Sequence, residues 1–353
     1  MSVLILTPGL GRHNRGSFFN VANSLTTGLT RLGIDARQWD APPDPEDAHE
    51  ALPDLRGVTH LVWVGPPLFA LWAHMLMTIC AQQRIRTYWM LAANSTTLPD
   101  NALAFAKRHP WTKILTPSDW GRRVIRSVDS DLPPVLVVPH GVEVDPEQVP
   151  VTERTEWAHA VAGATGRKGT EELLEAVQDD IPLAIYADVI AYGWLSPRLV
   201  GRKNVRLVRA YNADEHPAWW HHLRIAHPSR AEGFGLSLVE AVLLRRCVLG
   251  RKNTGVPARI PLVYSPDMFA GDAVPADAWE VWAGGDGDRQ HLLGRDVTEL
   301  TIAPPAALRL LLRDMSTWEW VPLPSERAEA FREEMRHDVA VRPLADEIRG
   351  GTT

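Results

Sequence analysis

Residues Ser229 to Ala241 read SRAEGFGLSLVEA, with Glu232 and Glu240 separated by seven residues around Gly233-Phe234-Gly235. Desolvating carboxylates is costly, and glycine weakens a helix, so the combination needs a reason. Glycines let backbone amides approach a ligand at a helix start. A carboxylate can accept two hydrogen bonds from a vicinal diol. Two carboxylates at this spacing can therefore hold two diols along one ligand. Glu232 precedes the apolar run and Glu240 lies inside it, amid Leu238, Val239, Ala241 and Val242.

A second stretch, Ala164-Thr165-Gly166-Arg167-Lys168-Gly169-Thr170, leads into EELLEAV. Thr170 fits as an N-cap. Two cations beside a helix N-terminus oppose the dipole, and an anionic ligand would relieve that conflict. A solvated basic pair is the plainer reading. A third stretch, Gly9-Leu10-Gly11-Arg12-His13-Asn14-Arg15-Gly16, follows a short β-rich run. Its spacing is GxGxxxxG rather than the dinucleotide GxGxxG, which weakens a dehydrogenase reading with Asp40 as ribose acid. It serves equally as an anion- or sugar-facing loop or as a tight turn.

These loops need strands to carry them. Strands are expected at Val3–Leu6, Ile34–Trp39, Leu61–Val64, Thr87–Leu91, Lys113–Leu115 and Val135–Val138. Helices are expected at Phe18–Leu32 and Trp120–Ser127. The pattern restarts with strands at Ala160–Ala164, Leu183–Ala187, Val205–Val208, Leu223–Ala226 and Cys247–Gly250. Helices are expected there at Thr170–Val177 and Leu236–Leu244. Alternating units of this length imply parallel sheets covered on both faces. A boundary near Pro139-His140-Gly141-Val142 gives domains 1–141 and 142–324. Residues 325–353 form a C-terminal helical segment that could cross back to the first domain. The Gly/Asp/Trp-rich stretch Trp279 to Asp296 reads as a loop.

The 353 residues suit two domains. The composition, 45% hydrophobic and 23% charged, is globular. No apolar run approaches the roughly 18 residues of a membrane span, and the N-terminus reads as a strand rather than a signal peptide. Cys80 and Cys247 read as buried thiols of a cytoplasmic protein. A net charge of −6 does not point to a dedicated nucleic-acid binder. Basic residues do recur in the first half, among them Arg84, Arg86, Lys107, Arg108, Lys113, Arg122, Arg123 and Arg126. The chain also has fourteen tryptophans, available for packing or for stacking. Asp129-Ser130-Asp131 and Asp286-Gly287-Asp288 read as turns, and no metal site is expected. No HExxH, paired CxxC or GxSxG occurs.

EGFGLSLVEA, preceded by His227-Pro228-Ser229, resembles the E-x7-E signature of retaining GT-B glycosyltransferases of the sucrose-synthase-like family. TPSDWGRRVIRS with VLVVPHGVEVD, GRKGTEELLEA, and Asn253-Thr254-Gly255-Val256-Pro257 resemble further segments in the same order, from about Leu91 to Ile260. The resemblance implies two Rossmann-like, doubly wound domains facing across a cleft. It implies Arg167 and Lys168 at the donor diphosphate, with Ser229, Glu232 and the backbone of Gly233, Phe234, Gly235 and Leu236 at sugar and phosphate. It implies Glu240 at the ribose diol. Gly11 and Arg12 are further donor-side candidates; His13 and Asn94 are acceptor-side candidates. Two departures stand out: Asn94 occupies a position where the most similar subgroup carries Glu, and Arg167 and Lys168 adjoin where relatives separate them.

The expected activity is therefore metal- and cofactor-independent hexosyl transfer from a nucleotide-sugar to a hydroxyl of a glycan or small molecule. A hydroxymethylated pyrimidine base in duplex DNA, as for phage-type DNA glycosyltransferases, is an alternative acceptor, motivated by the basic residues and tryptophans. A nucleotide-sugar-binding module without turnover is the non-enzyme alternative.

Overall fold

A computed structural model describes residues 1–7, 17–40, 52–65, 70–91, 100–162, 168–209, 217–229, 232–250, 280–282, 308, 309, 312, 313, 316 and 325–350. The chain begins with β1 (Ser2–Thr7), α1 (Ser17–Arg31), β2 (Asp35–Asp40), β3 (His60–Val64), α2 (Ala70–Gln82), β4 (Arg86–Met90) and α3 (Asp100–Arg108). β5 (Lys113–Thr116), α4 (Asp119–Val128) and β6 (Val135–Val137) follow. β3 is buried at every position, as a strand covered on both faces must be. These strands form a parallel sheet in the order β2-β1-β3-β4-β5-β6.

The second run comprises β7 (Glu153–Val161), α5 (Thr170–Ala176), β8 (Leu183–Ala187), α6 (Val189–Leu195), β9 (Val205–Arg209) and β10 (His222–His227). It continues with α7 (Leu236–Leu243), β11 (Cys247–Gly250) and β12 (Glu280–Trp282). Its sheet has the order β12-β11-β10-β7-β8-β9. Only β12 among these strands is antiparallel. Three C-terminal helices close the chain: α8 (Ser325–Met335), α9 (His337–Ala340) and α10 (Arg342–Gly350).

Two compact units result. The first contains the chain to Glu143, the short segment Glu232–Leu236 and everything from Glu333 onward. The second contains Val144 to Ala231 and Ser237 to Arg332. Val341, Leu344, Ala345 and Ile348 join the core of the first unit beside Val21, Leu25 and Leu29 of α1. Gly28 permits that packing, because a Cβ there would lie 2.3 Å from the carbonyl oxygen of His337. On the other face of the first sheet, Trp63, Trp72, Trp89, Phe105 and Trp111 form an aromatic core.

Several elements differ from the expectations. The strand expected at Ala160 starts at Glu153, because its first half, ERTE, is largely exposed and carries no apolar signal. α2, ALWAHMLMTICAQ, is apolar on nearly every side, so it lacks the periodicity that marks an amphipathic helix. Part of the stretch read as a loop, Glu280–Trp282, pairs with β11 as an edge strand. Both cysteines are buried and free, and burial pushes each thiol up to about 12.

Candidate active site

In the second sheet the chain steps outward from β7 through β8 to β9. It then returns to the opposite side of β7 with β10 and β11. β7 and β10 are therefore parallel neighbours whose following segments depart in opposite directions. Such a switch point opens a crevice at the carboxyl ends of the strands. The segment after β7 carries Lys168, and the one after β10 carries Ser229.

The two segments meet closely. Gly169 has φ +68°, and a Cβ there would sit 2.2 Å from the carbonyl oxygen of Pro228. Both the left-handed backbone and the close approach demand glycine. Gly169 is also the N-cap of α5, with no side-chain cap, in place of the expected Thr170. The fully buried Thr170 instead turns its hydroxyl inward to His159 Nε2, 2.9 Å away. His159 Nδ1 lies 3.1 Å from the carbonyl of Ala226 on β10. A carbonyl only accepts, so Nδ1 carries the proton and Nε2 accepts from Thr170. Burial, reinforced by the charges of His227 and Lys168, pulls His159 down to about 3 and keeps it neutral. His159 thereby ties β7 to β10 and to the start of α5. Ser229 is buried beside this junction, and the preceding His227 contacts the hydroxyl of Ser237 at 3.3 Å.

α7 follows the glycine loop and carries Glu240 on its half-buried side. Enclosure in protein pushes the Glu240 carboxyl up to about 8, against the opposing pull of the Trp220 indole N–H. Trp220 is fixed through its carbonyl, which accepts from Arg246 Nε at 2.8 Å. The same guanidinium donates to the carbonyls of Leu244 at 2.7 Å and Val149 at 2.6 Å. Arg246 is thus a buried cation held by three carbonyls, one at the C-terminal end of α7, where a positive charge is favoured. Burial lowers it to about 10, which leaves it charged at neutral pH.

The segment Glu232–Leu236 packs with the first unit. Ser118, the N-cap of α4, donates its hydroxyl to the carbonyl of Gly233 at 2.9 Å. Phe234 meets the ring of His140 edge-on at 4.9 Å between centroids. Gly235 adopts φ +74°, which lets the chain turn into α7. Glu232 is only 7% exposed, and Leu236 packs against the core that α1 and α10 share.

Lys168 and Ser229 thus lie on the two arms of the switch point, with Glu240 on the helix beyond. Gly233, Phe234 and Gly235 form the turn before that helix, and Leu236 is its first residue. Arg167, Gly11, Arg12, His13 and Asn94 lie outside the described residues. So do Asp286-Gly287-Asp288 and the loop Asn253 to Pro257. Sequence reasoning missed His159, Trp220, Arg246 and Ser118. Ser118 left a trace, a serine just ahead of a helical run; the other three are recognisable only once the strands are aligned.

Other expectations can be placed. Asp40 accepts from the Thr7 hydroxyl and from Gln38 Nε2, so its carboxylate is engaged within the first sheet. Asp129 accepts from the amide of Asp131 at 2.8 Å, which is the expected turn. Among the described residues no group of three His, Cys, Asp or Glu side chains is arranged to hold a metal. Trp63, Trp72, Trp89 and Trp157 are wholly buried, so these indoles are not available to stack on a ligand. Lys107, Lys113 and Arg122 pair with Asp129, Glu347 and Asp119. No described helix is long and apolar enough to cross a membrane.

No protein-family model matches the chain, and no curated protein matches it in sequence. Solved structures do match in fold. AviGT4, described as a glycosyltransferase involved in avilamycin A biosynthesis, superposes with a TM-score of 0.56 at 14% identity, over 99% of this chain and 97% of its own. Anabaena HepE, solved in complex with UDP and glucose, gives 0.55 at 13% identity, over 98% and 99%. WaaG, a glycosyltransferase involved in lipopolysaccharide biosynthesis, gives 0.54 at 15% identity, over 99% and 100%. The two parallel-sheet α/β domains have the GT-B fold.

Proposed function

We propose that this chain is a retaining, metal-independent glycosyltransferase that moves a sugar from a nucleoside-diphosphate donor to an acceptor hydroxyl. The observation that carries this reading is the switch point between β7 and β10. A cation, Lys168, lies on one arm, and the other leads through Ser229 to the glycine turn and Glu240. Lys168 and Arg167 are assigned to the diphosphate. Glu232 and the Gly233–Leu236 backbone are assigned to sugar and phosphate, and Glu240 to the ribose diol. The bond from the sugar's anomeric carbon to the diphosphate oxygen breaks, and the electron pair leaves with the diphosphate. Cations already in place stabilise the charge that grows there. The acceptor oxygen bonds to the same face of that carbon, and its proton passes to a diphosphate oxygen. No protein base is required, which accommodates Asn94. A glycan or small-molecule hydroxyl is the acceptor class.

The test is a thermal-shift panel of nucleoside diphosphates and nucleotide-sugars, followed by donor hydrolysis or transfer. At a hundred times Kd, a ligand stabilises by about 2.7 kcal/mol, an easily read shift. Lys168→Ala should remove most of that shift, and Glu232→Ala should abolish turnover while the protein stays folded. Stabilisation by NAD but by no nucleoside diphosphate would sink the reading. Turnover that survives a chelator in the wild type supports metal independence. Binding without hydrolysis or transfer for any donor would leave a sugar-nucleotide-binding module.

A further inference from the structure

Ser118 does two jobs with one hydroxyl. Its oxygen accepts from the amide of Gly121 at 3.1 Å, capping α4, and its proton goes to the carbonyl of Gly233 at 2.9 Å. Ser118 is 9% exposed, so both bonds lie out of solvent. Gly121 keeps the cap compact, because a Cβ there would sit 2.2 Å from Thr116 Oγ1. His140, 3% exposed and neutral because burial lowers it to about 3, supports the next residue, Phe234. The peptide bond between Gly233 and Phe234 is trans, as are all those described. In a trans peptide the carbonyl and the following N–H point in opposite directions. Fixing the Gly233 carbonyl toward Ser118 therefore fixes the Phe234 N–H toward the other side of the loop.

From this geometry we infer that Ser118 is a positioning residue for the glycine loop, holding the Gly233–Phe234 peptide so that its amide is set for an anionic ligand. The inference deepens the proposed function and rests on it. The serine belongs to the first half of the chain and the loop to the second. Ligand binding by the loop would thus depend on a residue far away in sequence, outside the E-x7-E signature. Three features agree on one loop conformation: the Ser118 hydrogen bond, the Phe234–His140 contact and the left-handed Gly235.

The test compares Ser118→Gly with Ser118→Thr. Glycine is tolerated at an N-cap nearly as well as serine, so α4 survives while the donor is lost. Threonine restores both bonds. Two readouts are needed: the Kd for uridine diphosphate by calorimetry, and amide exchange at Phe234 and Gly235 in the ligand-free protein. Expected for Ser118→Gly is about tenfold weaker binding, the loss of one oriented hydrogen bond, with faster loop exchange and near-native exchange in α4. Ser118→Thr should recover both. Faster loop exchange with unchanged affinity would reduce Ser118 to a structural role and overturn the inference. Unchanged loop exchange would overturn it as well. A wild-type protein that binds no nucleoside diphosphate would instead overturn the functional reading beneath it.

Discussion

The aromatic core of the first unit and the switch point of the second bury side chains in opposite ways. In the first, Trp89 stacks on Trp111 at 5.9 Å and meets Phe105 edge-on at 5.1 Å. Its single polar atom is satisfied by the carbonyl of Gly65 at 2.8 Å. Burial here is nearly all apolar area, and it drives folding directly. In the second, His159, Thr170, Ser229 and Arg246 are buried. Each must recover by hydrogen bonds what it loses in water. His159, Thr170 and Arg246 do so without a carboxylate partner, through carbonyls and one hydroxyl. Such an arrangement contributes little to stability over an apolar core of equal volume. It sets the positions of strand ends, and it lies where the ligand-facing segments begin.

The contrast is broken most directly in the first unit. Trp89→Ala removes a wholly buried indole and should cost about 3–5 kcal/mol, read as a large fall in thermal midpoint. Where the protein still folds, its affinity for uridine diphosphate should stay near wild type. A selective loss of affinity at full stability would place Trp89 at the ligand instead, and the division of labour would fail.

The next effect is a pH dependence. Glu240 titrates near 8 in the fold, against 4.5 ordinarily. Its folded value is raised, so between those pH values the folded chain keeps a proton that the unfolded chain releases. Stability from this group is therefore lost as pH climbs from about 4.5 to about 8, and levels off above. Glu240→Gln cannot ionise. Its stability relative to wild type should grow through that window to roughly 1–3 kcal/mol. Its affinity for uridine diphosphate should fall at pH 8.5, where wild-type Glu240 is ionised and able to accept both hydroxyls of a diol. Wild-type affinity should tighten between pH 6.5 and 8.5, and Trp220→Phe should move that rise to higher pH by removing the N–H that favours the carboxylate. Parallel stability curves for Glu240→Gln and wild type would show that the carboxyl is not enclosed as described.

These particulars explain what was readable beforehand. β3 and β8 are buried along their lengths, and their apolar runs announced them in sequence. Glu240 was conspicuous because an acid inside LSLVEAVL has no ordinary reason to be there. β7 begins earlier than its expected strand because its first four residues are polar and unburied, and α2 escapes notice because an evenly apolar helix has no stripe. His159 and Ser118 could not be read as site residues at all. His159 matters only because pairing sets β7 beside β10, and Ser118 only because a segment 115 residues later lies against it. Local chemistry is written locally, whereas the groups that orient it are defined by sheet order.

The smallest predicted effect separates orientation from stability most sharply. Thr170→Val deletes the hydroxyl that donates to His159 Nε2 and keeps the side chain's shape. One buried acceptor loses its donor, a cost of about 1–2 kcal/mol. Thr87→Val in the first unit is a matched control. Its buried hydroxyl donates to the carbonyl of Pro110 at 3.0 Å, and its loss should cost a similar amount. Only Thr170→Val should weaken uridine diphosphate binding, by a few-fold, because only Thr170 fixes the first turn of α5 next to Lys168. Equal stability losses with unequal affinities are the expected pair of results, from chemical denaturation and calorimetry. If both variants bind like wild type, the His159–Thr170 bond merely joins β7 to α5, and the buried polar groups of the second unit are packing after all.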